Sequence, residues 1–538
     1  MELDHWRDIQ VYLDSDNVNQ ALAVFKDKLG LVNNPVSFLF GVIEKLEQLN
    51  KSSLRLSFLS VFLSVFPNQP HAVFKAGQVL LQQRNFQDAI NVLTSIPESD
   101  QLSETSLLLA EAFNAGGDID SANALYRKAL QLLDDEQSYC LYANFLQKHL
   151  YGEMDQNVDF IEALRSIILI IQTRWPRHKE SALAMLADCH TACGEYSESI
   201  KILSSIRNRT HEGRESNLAY QYLSAQDYNS GFKKASARNR EVVGKEQPQW
   251  LQVIPWYISQ QTTDCLLVLS EQGVGDQILH LQFFQSIEEL NVDHIIFACE
   301  PRIRSLFQRS LDEMLGEGRI QTVNMSDLGT ALDSFSGCSV SKAMLSDLVV
   351  ELGIDGSYKN PLQSYLIPDR ELVEYYKSKY RLENKSLVAG ISWFSSRNES
   401  YKRKNIALHE WHELLLMPNF NWISIQYGDV RDEVASVNQQ LDSKIYIDDL
   451  DHVKDIEAAV AQVAAMDLVV TVSTACAHMA GALGVRTFVL TPYVPLWYWL
   501  NVDDRDRSVF YPSVNVLHRS KPNDLSVQFN TLKEALSS

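Results

Sequence analysis

The sequence is poor in cysteine, and its seven cysteines are scattered along 538 residues. An odd number of widely spaced cysteines argues against a disulfide framework and predicts reduced thiols. Cys189, His190 and Cys193 are close enough together to suggest a metal site, but they fall in an alanine-rich helical pattern without a second ligand pair. That context favours helix packing, and we expect no metal site.

An excess of positive charge is also missing. Lys and Arg number 48 against 68 Asp and Glu, which gives a formal net charge of −20. We therefore do not expect a chain this acidic to bind nucleic acid or an anionic membrane surface. The hydrophobic content of 45% is that of a globular protein. The length predicts about two to four domains.

Long apolar runs are absent too. The longest run, residues 57–66, is interrupted by serines and followed by Pro67, so it is too short to cross a bilayer. The first residues, MELDHW, lack the basic and apolar regions of a signal peptide. From these features we expect a cytoplasmic protein without a membrane span.

The first 240 residues contain a self-similar unit. The segments around Ala89 and Ala122 align, and these two alanines are 33 residues apart. Gly116-Gly117-Asp118 marks a turn in the second unit, and the pattern returns around Gly194. Helical hairpins with this spacing are typical of tetratricopeptide repeats. Residues 1–240 are therefore predicted to form a TPR-like α-solenoid with a concave surface, and an irregular helical bundle is the alternative.

The remaining chain alternates strands and helices, which predicts parallel α/β layers. It divides into a first half, residues 246–375, and a second half, residues 385–521. A last helix within residues 522–538 is predicted to pack back on the first half. The predicted strands are residues 264–269, 294–298, 387–393, 422–429, 466–470 and 487–490. The whole chain is thus expected to be an α plus α/β multidomain protein.

Residues 471–484 give the strongest indication of a ligand site. Ser473 and Thr474 are N-cap formers that follow an apolar strand, and Ala475 begins a helix of small residues. Backbone N–H groups and hydroxyls at a helix N-terminus suit phosphate, and His478 lies about one turn further on. An ordinary strand-to-helix turn packed with alanine is the alternative.

A second candidate follows the first strand of the α/β part. Gly273 and Gly275 allow a tight turn and close approach of a ligand to the backbone. Asp276 comes next, at the carboxyl end of the strand, where open α/β sheets bind ligands. Its carboxylate is either a helix cap or a general base.

Two further loops carry unusual composition. Four cations lie within the eight residues 397–404, just after the strand that ends at Trp393, and they suggest an anion such as a diphosphate. A solvated loop is the alternative. Tyr493, Trp497, Tyr498 and Trp499 form an aromatic loop. Its rings either are exposed and stack on a base or sugar, or form a seam between domains.

Four segments together resemble the GT-B glycosyltransferases, in particular the heptosyltransferase family and its relatives fused behind tetratricopeptide repeats, which include flagellin glycosyltransferases. The segments are GVGDQI at 273–278, GISW at 390–393, SIQYGD at 424–429 and STACAHMAGALG at 473–484. The resemblance implies two Rossmann-like domains, with a nucleotide sugar held mainly by the second.

The resemblance also implies roles for individual residues. Asp276 falls where the family keeps its base, and Ser473 stands where many relatives carry Asp. The residues implied to bind the donor are Gly273, Gly275, Trp393, Arg403, Lys404, Gln426, Tyr427, Ser473, Thr474, Ala475 and His478.

The expected function is an inverting, metal-independent glycosyltransferase that needs no cofactor besides its CMP- or UDP-linked donor. Its expected acceptor is a Ser or Thr hydroxyl of a protein recruited by the repeats, with flagellin as the expected protein. A non-catalytic repeat scaffold with a relic nucleotide-binding fold is one alternative. A transferase acting on a saccharide or lipid-linked acceptor is another.

Overall fold

A computed structural model describes most of the chain: residues 2–150, 157–207, 214–246, 248–257, 262–271, 273–353, 361–381, 386–395, 404–441, 445–501, 503–521 and 524–537. The chain forms two compact units. The first comprises residues 1–148 and 166–179, and the second comprises residues 149–165 and 180–538. Helices dominate, and both parallel sheets lie in the second unit.

Helices alone precede the first strand in the described residues. They are α1 Glu2–Asp14, α2 Val18–Leu29, α3 Pro35–Gln48, α4 Arg55–Val65, α5 Pro70–Gln82, α6 Phe86–Leu93, α7 Thr105–Gly116, α8 Ile119–Leu133, α9 Glu136–Lys148, α10 Asn157–Arg174, α11 Lys179–Ala192, α12 Tyr196–Ser205, α13 Arg214–Ser224, α14 Tyr228–Glu246 and α15 Gln249–Gln252. Among the described residues, no helix combines the length and apolarity that crossing a bilayer requires.

The repeated unit forms helical hairpins. Helices α5 and α6 pair, as do α7 and α8, and the repeat alanines Ala89 and Ala122 are both fully buried. Gly117 ends α7 at a φ of 91°, and the Asp118 side chain caps α8 by accepting from the backbone N–H of Ser121. The predicted hairpins are therefore present, and their assembly into a solenoid stays a prediction.

The first sheet is four-stranded and parallel, in the order β3-β2-β1-β4. Strand β1 pairs with β2 on one side and with β4 on the other, so the strand order reverses between β1 and β4. At such a reversal, a crevice lies between the carboxyl ends of the two strands. Leu269 and Met344 are register partners at these two ends. The elements are β1 Thr263–Leu269, α16 Val274–Leu281, β2 Val292–Cys299, α17 Arg304–Leu315, β3 Ile320–Asn324, α18 Leu328–Leu332, β4 Val340–Met344, α19 Leu345–Glu351 and α20 Arg370–Tyr380.

The second sheet is six-stranded and parallel, in the order β10-β9-β8-β5-β6-β7. Its crevice lies between β5 and β8, where Ser392 and Thr471 are register partners. The elements are β5 Leu387–Ser392, α21 His412–Leu415, β6 Phe420–Ser424, α22 Arg431–Leu441, β7 Tyr446–Ile447, α23 Ile456–Ala464, β8 Leu468–Val472, α24 Ala475–Ala482, β9 Thr487–Thr491, β10 Val514–His518 and α25 Ser526–Ser537.

Helix α25 packs on the second sheet. Its buried Phe529 contacts the Trp411 ring at 5.6 Å, and Leu532 joins the core of β9 and β10. The backbone oxygen of Ala535 accepts a hydrogen bond from Arg486 at 2.9 Å. The prediction that residues 522–538 pack back on the first half is therefore wrong for this helix. The apolar face of α25 packs on the side of the second sheet where the side chains of Leu490 and Leu517 lie.

Candidate functional site

Helix α16 presents Asp276 in its first turn. The backbone N–H of Gly273 donates to Asp276 Oδ2 at 3.3 Å, which caps the helix. The Asp276 side chain is half-buried, and burial raises the pKa of its carboxyl. The neighbouring His280, the hydrogen bond from Gly273 and the positive charge of Lys404 partly offset this rise. The two predicted roles of Asp276, helix cap and general base, are thus compatible, because a capping carboxylate with a raised pKa is also suited to accept a proton.

Helix α24 presents its N-terminus in the crevice of the second sheet. Thr474 is the N-cap residue, and Ser473 and Thr474 are both buried. The Ser473 hydroxyl accepts a hydrogen bond of 2.8 Å from the indole N–H of Trp499. Because the first N–H groups of a helix have no partner within the helix, this end attracts negative charge.

The two helices meet at Gly275. A Cβ atom placed on this residue would lie 2.9 Å from Cδ2 of His478 and 3.6 Å from Cα of Ala475. A side chain larger than hydrogen would therefore force the helices apart. Because Gly275 has no side chain, the turn of α16 that carries Asp276 lies beside residues 475–478. The two predicted sites are therefore adjacent in the fold.

Lys404 adds a buried positive charge to this place. Its side chain is 6% exposed, and its charge acts on both Asp276 and His478. Burial is the main cause that lowers the pKa of the His478 imidazole to about 3, and the charge of Lys404 acts in the same direction, so His478 is neutral at pH 7. His478 Nδ1 lies 2.8 Å from the Tyr511 hydroxyl.

The loop that carries Lys404 is held from two sides. The backbone N–H of Ser395 donates to Asn405 Oδ1 at 2.8 Å, and the guanidinium of Arg519 donates to the Asn405 backbone oxygen at 3.4 Å. Arg519 directly follows β10, and sequence reasoning did not point to it. Arg403, predicted to bind the donor, lies outside the described residues.

Gln426, Trp393 and Tyr427 have structural contacts at the end of β5 and β6. Gln426 Oε1 accepts from the backbone N–H groups of Trp393 and Phe394 at 2.9 and 3.0 Å, so it fixes the loop after β5. The buried Trp393 indole donates to Glu433 at 3.2 Å. Tyr427 is half-buried and meets the Phe394 ring edge-on at 5.7 Å. Their predicted contacts with a donor stay predictions.

Two rings of the aromatic loop, those of Trp497 and Trp499, are packed in a seam between other elements. Trp497 is buried against Tyr228 and Phe232 of α14 at centroid distances of 6.2 and 5.6 Å. Trp499 is fully buried and stacks on His478 at 5.1 Å. Of the two alternatives for the aromatic loop, the seam is therefore the one that applies to both tryptophans. Burying an indole in a seam removes more apolar area from water than leaving it exposed for a ligand.

A cavity of about 470 Å³ lies beside Asp276. Helices α13 and α14, the chain after β1, the start of α19, Lys404 and residues 496–498 line it. Its walls hold three polar groups that sequence reasoning missed: Glu271, His280 and Ser346. The only signal available was the position of Glu271, two residues after the end of a predicted strand.

Glu271 bridges the first sheet and α14. It is buried, and its carboxyl accepts from Asn239 Nδ2 at 2.7 Å and from the backbone N–H of Ser346 at 3.0 Å. Next to it, Asp347 pairs with Arg240 at 2.9 Å and accepts from the Ser236 hydroxyl. Burial is the main cause that raises the pKa of Glu271 to about 7.

Replacing Glu271 by Gln is expected to change how stability depends on pH. The folded pKa is raised from 4.5 to about 7, so the native state holds the proton more tightly than the unfolded state. The wild-type chain therefore loses stability as the pH rises through this window, by about 3 kcal/mol in order of magnitude. Glu271→Gln removes this loss, and the Asn239 amide can flip to pair with it.

The measurement is a thermal unfolding series at about pH 5 and about pH 8. The difference between Glu271→Gln and the wild type should grow in favour of the variant at the higher pH. Glu317→Gln, a change at an exposed turn, is the control. A difference that stays constant across this range would show that Glu271 titrates normally.

A second cavity, of about 310 Å³, lies at the carboxyl ends of β6 and β7. Gln426 and Gly428 line one side, and the acidic loop with Asp449 and Asp451 lines the other. Asp449 also pairs with Arg431 at 2.8 Å. This cavity belongs to the second sheet alone, and its carboxylates are suited to accept hydrogen bonds from hydroxyl groups.

No protein-family model matches the chain. A curated relative, Protein FlbA of Caulobacter vibrioides, is 26% identical over 238 residues, which are 42% of this chain and 39% of FlbA. The chain thus matches well under half the length of this relative.

Solved structures give partial likenesses. The chain is similar to a glycosyl transferase family 9 protein from Veillonella parvula (12% identity, 52% of this chain, 90% of that chain, TM-score 0.36). It is also similar to the E. coli ADP-heptose lps heptosyltransferase II (13% identity, 51% and 97%, TM-score 0.36). A tetratricopeptide repeat protein from Parabacteroides merdae matches at 10% identity (47% and 95%, TM-score 0.31). The predicted resemblance to heptosyltransferases and to tetratricopeptide repeat proteins is confirmed as a resemblance. The candidate site is defined by the contacts described above and not by these matches.

Proposed function

We propose that this chain transfers a sugar from a nucleotide sugar to a Ser or Thr hydroxyl of a protein acceptor, with inversion at the anomeric carbon. One observation carries the proposal: the close meeting of α16 and α24 at Gly275. It sets the carboxyl of Asp276, the buried cation Lys404 and the N-terminus of α24 around one place.

In the proposed reaction, Asp276 removes the proton of the acceptor hydroxyl while the oxygen of that hydroxyl attacks the anomeric carbon. The bond from that carbon to the phosphate oxygen breaks, and the electron pair leaves with the nucleotide. The raised pKa of Asp276 brings it nearer to neutral pH, where a general base works best. The N-terminus of α24 and the charge of Lys404 stabilise the developing phosphate charge.

The donor nucleoside is assigned to the second sheet. The 310 Å³ cavity offers the carboxylates of Asp449 and Asp451 to ribose hydroxyls. Gln426 lies between this cavity and the loop after β5. Both CMP- and UDP-linked donors suit this placement, and no cofactor besides the donor enters the proposal.

The acceptor is assigned to the side of the first sheet. Helices α13 and α14 line the cavity beside Asp276, so the helical segment stands where an acceptor would approach the base. A protein acceptor recruited by the repeats in the cytoplasm, with flagellin as the expected protein, fits this placement. A saccharide acceptor is the competing outcome of the acceptor assay.

A thermal-shift screen of nucleotides and nucleotide sugars tests the proposal. A donor present at about 100 times its Kd stabilises the folded chain by about 2.7 kcal/mol, so one base should raise the melting temperature above the others. Transfer assays with the selected donor then compare purified flagellin with oligosaccharides. Absence of stabilisation by every nucleotide and nucleotide sugar would overturn the donor assignment.

Lys404→Met is expected to weaken binding of the nucleotide that the screen selects by about 10-fold or more, because a charged hydrogen bond contributes about 1.5–3 kcal/mol. Methionine keeps the length of the buried stem and removes its charge. Isothermal calorimetry measures the affinity, and Lys377→Met on the surface of α20 is the matched control. Equal affinity in both variants would remove Lys404 from the donor site.

A further inference from the structure

Tyr498 lies between the two buried tryptophans of the aromatic loop and is less enclosed than they are. Trp497 and Trp499 are buried, whereas Tyr498 is half-buried and lines the 470 Å³ cavity beside Asp276. Residues 497–499 form a short 3-10 helix. Because such a helix has about three residues per turn, the three side chains point in different directions. The two tryptophans therefore anchor the turn, and the tyrosine between them reaches the cavity.

The ring of Tyr498 is held in place by other rings. It meets the His478 ring edge-on at 4.8 Å, and it meets the rings of Trp497 and Trp499 edge-on at 5.3 and 5.2 Å. Since both tryptophans are buried, this packing leaves the tyrosine ring little freedom to turn. A ligand that packs against it therefore meets a preorganised surface.

The position of Tyr498 joins two parts of the candidate site. Through His478 it adjoins the first turn of α24, and through the cavity it adjoins Asp276. The proposed reaction places the anomeric carbon between the leaving phosphate at α24 and the carboxylate of Asp276. The transferred sugar must therefore lie in this space, next to the ring of Tyr498.

The chemistry of this ring suits a sugar. A sugar ring carries C–H groups on its faces and hydroxyl groups around its edge, and an aromatic ring gives apolar contact to the C–H groups. A phosphate has no apolar surface to offer and gains nothing from such a contact. The amide of Asn217, which is half-buried in the wall of the same cavity, has donors and an acceptor suited to sugar hydroxyls.

We propose that the ring of Tyr498 packs against the C–H face of the transferred sugar and positions its anomeric carbon between α24 and Asp276. This inference rests on the proposed transfer reaction, and it names the part of the site that binds the sugar. Tyr498 then contributes to binding of the nucleotide sugar and not to binding of the nucleotide alone.

Calorimetry with the full chain tests this separation. The two ligands are the nucleotide sugar that gives the largest thermal shift and the same nucleotide without its sugar. Tyr498→Ala removes the ring, and Tyr498→Phe keeps it. Tyr493→Ala is the matched control, because Tyr493 belongs to the same loop, is 40% exposed and lines a different cavity.

Tyr498→Ala is expected to bind the nucleotide sugar about tenfold more weakly, since a well-oriented aromatic contact contributes about this factor beyond the area that it buries. Its affinity for the nucleotide alone should stay within about twofold of the wild type. Tyr498→Phe and Tyr493→Ala should match the wild type for both ligands.

Three results would overturn the inference. Unchanged affinity of Tyr498→Ala for the nucleotide sugar would remove the ring from the sugar site. An equal loss for both ligands would assign Tyr498 a packing role at α24. A loss in Tyr498→Phe as large as that in Tyr498→Ala would assign the effect to the hydroxyl group.

Binding by the wild type separates these results from a failure of the proposed function. If the wild type binds both the nucleotide and the nucleotide sugar, any of the three results overturns the assignment of Tyr498 alone. A wild type that binds neither ligand overturns the donor assignment and this inference together.

Discussion

Asp276→Asn is expected to lower the rate of sugar transfer by about 10²–10⁴-fold, since an amide cannot take the proton of the acceptor hydroxyl. The variant should remain folded. The asparagine oxygen can still accept from the backbone N–H of Gly273, so the cap of α16 is kept. Donor affinity should stay near that of the wild type, because the nucleotide is assigned to the other sheet.

Steady-state kinetics with the selected donor and acceptor measures this effect. Asp293→Asn on β2 is the matched control, since its side chain is exposed. A transfer rate within about twofold of the wild type in Asp276→Asn would show that another group takes the proton. Loss of both donor binding and the folded state would instead assign Asp276 a structural role only.

Trp499→Ala is expected to give the largest loss of stability, about 3–5 kcal/mol, because it empties a fully buried indole site. The indole also stacks on His478 and donates to Ser473, so its removal should disorder the N-terminus of α24. Donor affinity should therefore fall together with stability. Urea denaturation followed by circular dichroism measures the first effect, and calorimetry with nucleotide measures the second.

Trp499→Phe separates packing from hydrogen bonding. Phenylalanine keeps an aromatic ring against His478 but lacks the N–H that Ser473 accepts, so it should cost about 1–3 kcal/mol. If the alanine variant unfolds at the same urea concentration as the phenylalanine variant, ring packing is not what stabilises this region. Unchanged donor affinity in both would remove Ser473 from the donor site.

The strands and the place of the site could be predicted from sequence for a common reason. A parallel strand buried on both faces is a continuous apolar run, as in residues 264–269 and 466–470, and such runs are visible without structure. The carboxyl ends of these strands then indicate where ligands bind. This rule selects Asp276 and Ser473 as candidates, and Gly275 explains why the helices that follow them can approach each other.

Other features depend on contacts between residues far apart in sequence. Glu271 and His280 become buried because α14 covers the end of the first sheet, and no local pattern indicates that cover. The sequence of the aromatic loop is compatible both with tryptophans that face solvent and with tryptophans that pack in a seam, so it does not decide between the two. Helix α25 is amphipathic, and its sequence does not say which apolar surface it covers.

Helix α14 has a consequence for how such a chain can be divided. Asn239 and Arg240 reach from it to Glu271 and Asp347 at the ends of β1 and β4. A fragment beginning near residue 248 would retain both carboxylates but lose their partners on α14, leaving acidic groups exposed at this end of the first sheet. Helix α14 therefore belongs with the sheets of the second compact unit, although it lies in the helical part of the sequence, and a gene fusion that keeps the sheets must carry this helix along.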